Sequence, residues 1–171
     1  MREKIAELLD RISSIAHYLP ENLPLPMPER CLVLPRLSWD RSEFEDELNV
    51  LLPEDLVQIW NLTSGLVLFE DVNYGQWGLV IWSPDQTIIR HRRFVKQRRH
   101  VYEPGDVLVG EFLGDSDLVL VRCDPEKPDY GAVLIALATE RRQDWFLAAR
   151  SFFEFLTKFV EASGEKYWEA E

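Results

Sequence analysis

Gly110-Glu111-Phe112-Leu113-Gly114-Asp115-Ser116-Asp117-Leu118-Val119-Leu120-Val121 decides how this chain is read. Two apolar, β-branched runs flank the turn Gly114-Asp115-Ser116-Asp117, which predicts a hairpin of strands over 107–112 and 118–123. Towards the C-terminus, 132–138 and 144–148 read as a third and a fourth strand. Ser151 and Glu154 then form a capping box for a helix whose apolar face is Phe152, Phe155, Leu156 and Phe159, ended by Ser163-Gly164. Residues 163–171 read as an acidic tail, with Trp168 in its frayed end.

Towards the N-terminus, Ser83-Pro84-Asp85 starts a helix expected to run to about 98. Before it, 66–69 and 78–82 read as strands joined by a polar loop containing Glu70, Asp71, Asn73, Tyr74 and Gly75. Leu52-Pro53-Glu54-Asp55-Leu56 opens another helix, with Leu52, Leu56, Ile59 and Trp60 facing inward and Gly65 placed to end it in a left-handed conformation. A short helix over 40–48 is capped either by Asp40 with Glu43 or by Ser42 with Glu45. Ile5, Leu8, Leu9, Ile12, Ile15 and Leu19 recur at helical spacing over 3–18, and Pro20, Pro24, Pro26 and Pro28 follow as an extended connector. That first helix either packs on the body or exchanges onto a second copy, which makes residues 1–29 a candidate for homo-oligomer formation. Helices come first, strands in the middle and one helix last. This order predicts an α+β fold: a single domain whose central sheet, mostly antiparallel or mixed, is flanked by helices.

Five stretches in this order carry a resemblance: LPEDLVQIWNLTSG (52–65), GLVIWSPDQ (78–86), GEFLGDSDLVLVRCD (110–124), GAVLIALA (131–138) and SFFEFL (151–156). Together they resemble the SUKH superfamily, which contains the fungal Smi/Knr cell-wall regulators and many bacterial toxin-immunity proteins. The resemblance covers roughly 38–162, so the chain divides into an N-terminal helix and connector (1–30), a SUKH-like domain (31–162) and the acidic tail (163–171). It implies a mixed sheet flanked by helices and used as a protein-binding surface. Two features depart from the family pattern: a shorter, glycine-poorer turn at 114–117 and an unusually basic stretch at 90–100.

A chain of 171 residues fills one core. Its net charge of −11 is uneven: −6 over 1–60, +3 over 61–100 and −8 over 101–171. Bulk acidity argues against nucleic acid and anionic membranes, and it suits a basic protein partner. No apolar run approaches a membrane span and the N-terminus lacks a signal-peptide pattern, so a cytoplasmic protein is expected. Cys31 and Cys123 read as two buried free thiols. His17, His91 and His100 lack metal-ligand spacing, and neither a phosphate-binding loop nor a nucleophile elbow occurs. No metal, no cofactor and no enzymatic activity are expected.

Arg90, Arg92, Arg93, Lys96, Arg98 and Arg99 form the sharpest local anomaly, with no acid from Gln86 to Val101. On a helix, Arg92, Lys96 and Arg99 share a face and are candidate anion-binding residues. The competing reading is a solvated face that pairs with the acidic remainder. Stacking aromatics nearby are limited to Phe94 and Tyr102, which argues against nucleic-acid recognition. Trp60, Trp82 and Trp145 fit the core, whereas Trp39 and Trp77 sit at element edges. The expected function is a non-enzymatic, intracellular immunity protein that blocks a basic, nuclease-like toxin. A self-associating regulatory or scaffold protein is the alternative, and a phosphate or nucleic-acid binder using Arg90–Arg99 is a third. The candidate partner-binding residues are Glu70, Asp71, Tyr74 and Trp77 in the strand-connecting loop, with Asp115 and Asp117 at the hairpin.

Overall fold

Strand patterning produces one seven-stranded sheet in the computed structural model, which describes residues 1–15 and 28–170. The strands are β1 (Glu29–Val33), β2 (Leu66–Asp71), β3 (Leu79–Ile81), β4 (Asp106–Phe112), β5 (Leu118–Arg122), β6 (Val133–Ala136) and β7 (Phe146–Ala149). They lie side by side in chain order, and each neighbouring pair is antiparallel. The sheet is therefore a meander, and the mixed sheet implied by the resemblance is corrected to an antiparallel one. β1 is an addition to the strands read from sequence. It was hidden by the prolines around it, and it is fixed by long-range pairing such as Leu32 with Val67. The connector prolines Pro20, Pro24 and Pro26, as well as His17, lie outside the described residues.

The helices are α1 (Arg2–Ser14), α2 (Arg41–Leu48), α3 (Glu54–Leu62), α4 (Pro84–Gln97) and α5 (Phe152–Glu161). Their starts follow local chemistry. The carboxylate of Asp40 accepts the Glu43 N–H at 3.0 Å, which selects the first of the two caps expected for α2. The Ser83 hydroxyl accepts the Gln86 N–H at 3.2 Å, and the Ser151 hydroxyl accepts the Glu154 N–H at 3.1 Å. Gly65 does not end α3 in a left-handed conformation; Thr63 caps it in extended backbone. Gly65 is needed for space instead, since a Cβ there would meet the Ile81 carbonyl oxygen at 2.6 Å.

One face of the sheet is closed. Leu66, Leu68, Leu79, Ile81, Val107, Val119, Val121 and Ile135 pack there against α1, α3 and α5. Each such large apolar side chain contributes about 1.5–3 kcal/mol on burial. α1 places Ile5, Leu8, Leu9 and Ile12 in this core, packed on the body of the chain. Trp168 is also in it, only 6 % exposed, which corrects the expectation of a frayed end. Its ring packs on Phe112, Phe155 and Phe159, while Lys166 beside it pairs with Asp115 and Asp117. No helix among the described residues is long and apolar enough to cross a membrane.

The opposite face is covered over half its width. Trp82 just before α4, Phe94 of α4, Val101 after it and Trp145 just before β7 cluster there with Leu108, Leu118, Leu120 and Ala136. The cross-strand row Leu32, Val67, Val80 and Glu111 continues the same face across β1 to β4. Its first three members stay partly solvent-accessible.

Candidate functional site

Pairing of β3 with β4 brings two turns to one end of the sheet: the 72–78 loop and the 113–117 hairpin, joined by the Leu113 N–H on the Gly78 carbonyl at 2.9 Å. The six residues singled out from sequence therefore lie at the same end. Their carboxylates are nonetheless engaged within the chain. Glu70 pairs with Arg30 at 2.6 Å. Asp71 is buried and accepts the N–H groups of Asn73 at 2.9 Å and Tyr74 at 3.3 Å, which shapes the turn. Asp115 and Asp117 share the Lys166 ammonium, and Asp117 also accepts the Ala138 N–H at 3.2 Å. What this end offers to solvent is Tyr74, 72 % exposed, with half-buried Trp77 beside it.

The basic stretch also divides. Arg90 lies 5.1 Å above the Trp82 ring and pairs with Glu111. Arg92 pairs with Glu47 of α2 at 2.7 Å. Arg98 donates to the carbonyls of Leu137, Ala138 and Glu140 at 2.9, 2.5 and 2.6 Å, fastening that loop. α4 ends at Gln97, so Arg99 lies beyond it and the expected single helical face of Arg92, Lys96 and Arg99 is corrected: Arg99 sits in the following turn and Arg92 is already paired. Arg93, Lys96 and Arg99 have no side-chain partner among the described residues. His91 is held in the fold, its Nδ1 accepting the Leu108 N–H at 3.2 Å, and burial lowers its pKa to about 4.

A further acidic surface, beyond the loop residues named from sequence, is built around α2. Its residues Glu43-Phe44-Glu45-Asp46-Glu47 place carboxylates on both sides of one buried ring, Phe44. A cleft of about 390 Å³ on one side is lined by Glu45, Asp46, Asp124 and Glu126, with Leu51 at its edge, 48 % exposed. A smaller cleft of about 130 Å³ on the other side is lined by Trp39, Asp40, Glu43, Glu47 and Asp85. Two of these acids are occupied: Glu45 by Arg41 at 2.8 Å and Glu47 by Arg92. Asp40, Glu43, Asp46, Asp85, Asp124 and Glu126 have no cationic partner among the described residues. The carbonyl end of α2 opens next to Asp46 and adds its partial negative charge. The signal for this surface was present as the acid run 43–47. Its clefts depend on packing of 104–105 and 124–126, which no local pattern announces.

Buried charge forms a third group. Arg122 and Asp106 are both nearly inaccessible and pair with each other; Arg142 reaches the same carboxylate at 2.5 Å, and Asp129 accepts from Arg122 at 2.9 Å. This cluster holds β4, β5 and the 3-10 turn Arg142–Asp144 together. The surface around α2 is thus chemically suited to receive ammonium or guanidinium groups flanked by apolar ones. Comparison with known families matches residues 39–158, more than half of the chain, to the SMI1 / KNR4 family (SUKH-1). No curated protein matches it.

Proposed function

The chain belongs to the SMI1 / KNR4 family (SUKH-1), and from that premise we propose that it is a non-enzymatic protein-binding domain, an immunity protein that covers the working surface of a basic toxin. The observation that carries this reading is the α2 surface, where carboxylates, most of them without a cationic partner among the described residues, line two preformed clefts on either side of one helix. Opposite charge on a toxin, such as a nuclease built to bind phosphates, speeds encounter. Leu51 and Trp39 offer the apolar contact that sets how long the complex lasts. Little of the surface needs ordering, because Phe44 and Trp39 are fixed by ring packing at 6.0 Å and the cap of α2 is already made.

The test is affinity capture from the source cells at low and at moderate salt, with mass-spectrometric identification, followed by an activity assay on what is recovered. The proposal expects one basic protein whose toxic activity falls in proportion to the chain added. Recovery of a cellular assembly, or of a basic protein whose activity is unaffected, overturns the immunity reading and favours a regulatory or scaffold role of the Smi/Knr kind.

A further inference from the structure

α4 carries its outward charge in two halves. Asp85 stands in the first turn, Arg93 and Lys96 stand towards the end, and Arg99 follows just beyond it. Midway between Asp85 and Arg93, Ile89 is 70 % exposed, although Ile88 beside it packs on the core. We propose that this stripe is a self-complementary interface on which a second copy of the chain docks, α4 against α4, antiparallel about a two-fold axis at Ile89.

The register follows from the spacing. Asp85, Ile89, Arg93 and Lys96 succeed one another at helical intervals and are all exposed, so they form one solvent-facing stripe. At a rise of about 1.5 Å per residue, Asp85 and Arg93 lie about 6 Å to either side of Ile89 along the axis. A two-fold axis there sets Ile89 on its own counterpart and brings Asp85 of each copy opposite Arg93 of the other. Asp40 and Glu43 extend the acidic end, because they line one cleft together with Asp85. In the dimer that end faces Lys96 and Arg99 of the second copy.

These charges are not used within the chain. Asp40, Glu43 and Asp85 have no cationic partner, and Arg93, Lys96 and Arg99 no side-chain partner, among the described residues. Arg90 and Arg92, which do pair, flank the stripe and reach Glu111 and Glu47. Acid at the start of a helix and base at its end also suit the helix's own dipole, but the dipole gives no reason for Ile89. A polyanion that gained from Arg93 and Lys96 would be repelled at Asp85, and a basic partner would meet the reverse. A surface with the same two signs in opposite order satisfies both halves, and a second copy supplies one by symmetry. The net charge of −11 repels two copies at a distance, so their association depends on this local match. The interface does not rest on the immunity reading, and the larger cleft lies on the other side of α2.

Sedimentation velocity on the full chain at physiological salt tests this. One helix laid on another is a small, reversible contact, so a monomer–dimer equilibrium is expected within about 10–500 µM protein. Ile89→Asp should leave the chain monomeric throughout that range, with the parent's unfolding midpoint because the side chain is exposed. Asp85→Arg and Arg93→Asp each set like charges opposite one another and should each weaken the dimer about tenfold. Combined in one chain they exchange the pair, and the Kd should return to within about threefold of the parent's. A parent that stays monomeric over the whole range, a dimer that survives Ile89→Asp, or a double variant no tighter than either single one overturns the proposal.

Discussion

The acidic helix α2 and the basic stretch 90–99 lie against one another, joined by Arg92 and Glu47 at 2.7 Å, but their charges have different fates. In the basic stretch, Arg90, Arg92 and Arg98 are taken up by an acid or by backbone carbonyls of the same chain, so half of an apparent cationic patch is scaffolding. Around α2, Asp40, Glu43, Asp46, Asp85, Asp124 and Glu126 have no cationic partner among the described residues. The difference teaches that a run of one sign in a sequence measures neither the charge nor the position of a surface. What counts is which partners the fold brings within reach, and a long arginine reaches more of them than a short aspartate does.

The largest effect that would break this contrast concerns charge spent deep inside. Arg122→Ala leaves Asp106 buried without its nearest cation, and we expect a loss of about 3–5 kcal/mol in denaturant unfolding. A loss under about 1 kcal/mol would show that the cluster is not structural. Within the basic stretch, Arg98→Ala strips three carbonyls of a donor and should cost about 2–3 kcal/mol. Its neighbour Arg99→Ala should stay within about 0.5 kcal/mol of the parent. Equal effects at the two positions would erase the distinction between scaffolding and surface charge.

The same contrast extends to an acid. Glu29 is buried opposite Asp71 in the β1–β2 pairing, and burial, then the neighbouring carboxylate, raise its pKa to about 7. A raised carboxyl pKa means the folded chain holds this proton more tightly than the unfolded chain does. The resulting stability is complete below pH 4.5 and is lost as pH rises through about 7. Glu29→Gln should therefore become more stable than the parent on going from pH 5 to pH 8, by about 1–2 kcal/mol at the upper end. A difference that does not change with pH would show that the Glu29 carboxyl is not raised into this range. His91 acts with the opposite slope: its pKa is lowered to about 4, so its contribution is present above pH 6.5 and is lost as pH falls towards 4. Thermal unfolding of His91→Gln should show a smaller acid sensitivity than the parent over that interval.

Much of the fold was legible because its signals are local. The 114–117 turn between two apolar runs, the Ser151–Glu154 cap and the paired apolar positions of α5 lie within a few residues of what they specify. β1 was not legible: its register with β2 depends on residues more than thirty positions away, and the prolines near it read as connector. Trp168 was misplaced for a similar reason, since Lys166 is anchored by Asp115 and Asp117 from across the chain. The loop residues Glu70, Asp71, Tyr74 and Trp77 and the hairpin residues Asp115 and Asp117 were named from two separate turns, and only the β3–β4 pairing brings those turns to one end of the sheet. The pairing of Glu70 with Arg30, and of Asp115 and Asp117 with Lys166, was invisible, because both partners are distant in sequence. The letters of the α2 surface were in plain view, but its clefts are made by elements that meet only in the folded chain.

Association kinetics of the captured partner with the parent chain and with Asp46→Asn/Asp124→Asn/Glu126→Gln, each at low and at physiological salt, test the central claim most directly. The account predicts that the variant folds as the parent does, associates about tenfold more slowly at low salt and loses most of the salt dependence. A variant that associates at the parent's rate, with the same salt dependence, would contradict a partner surface centred on α2.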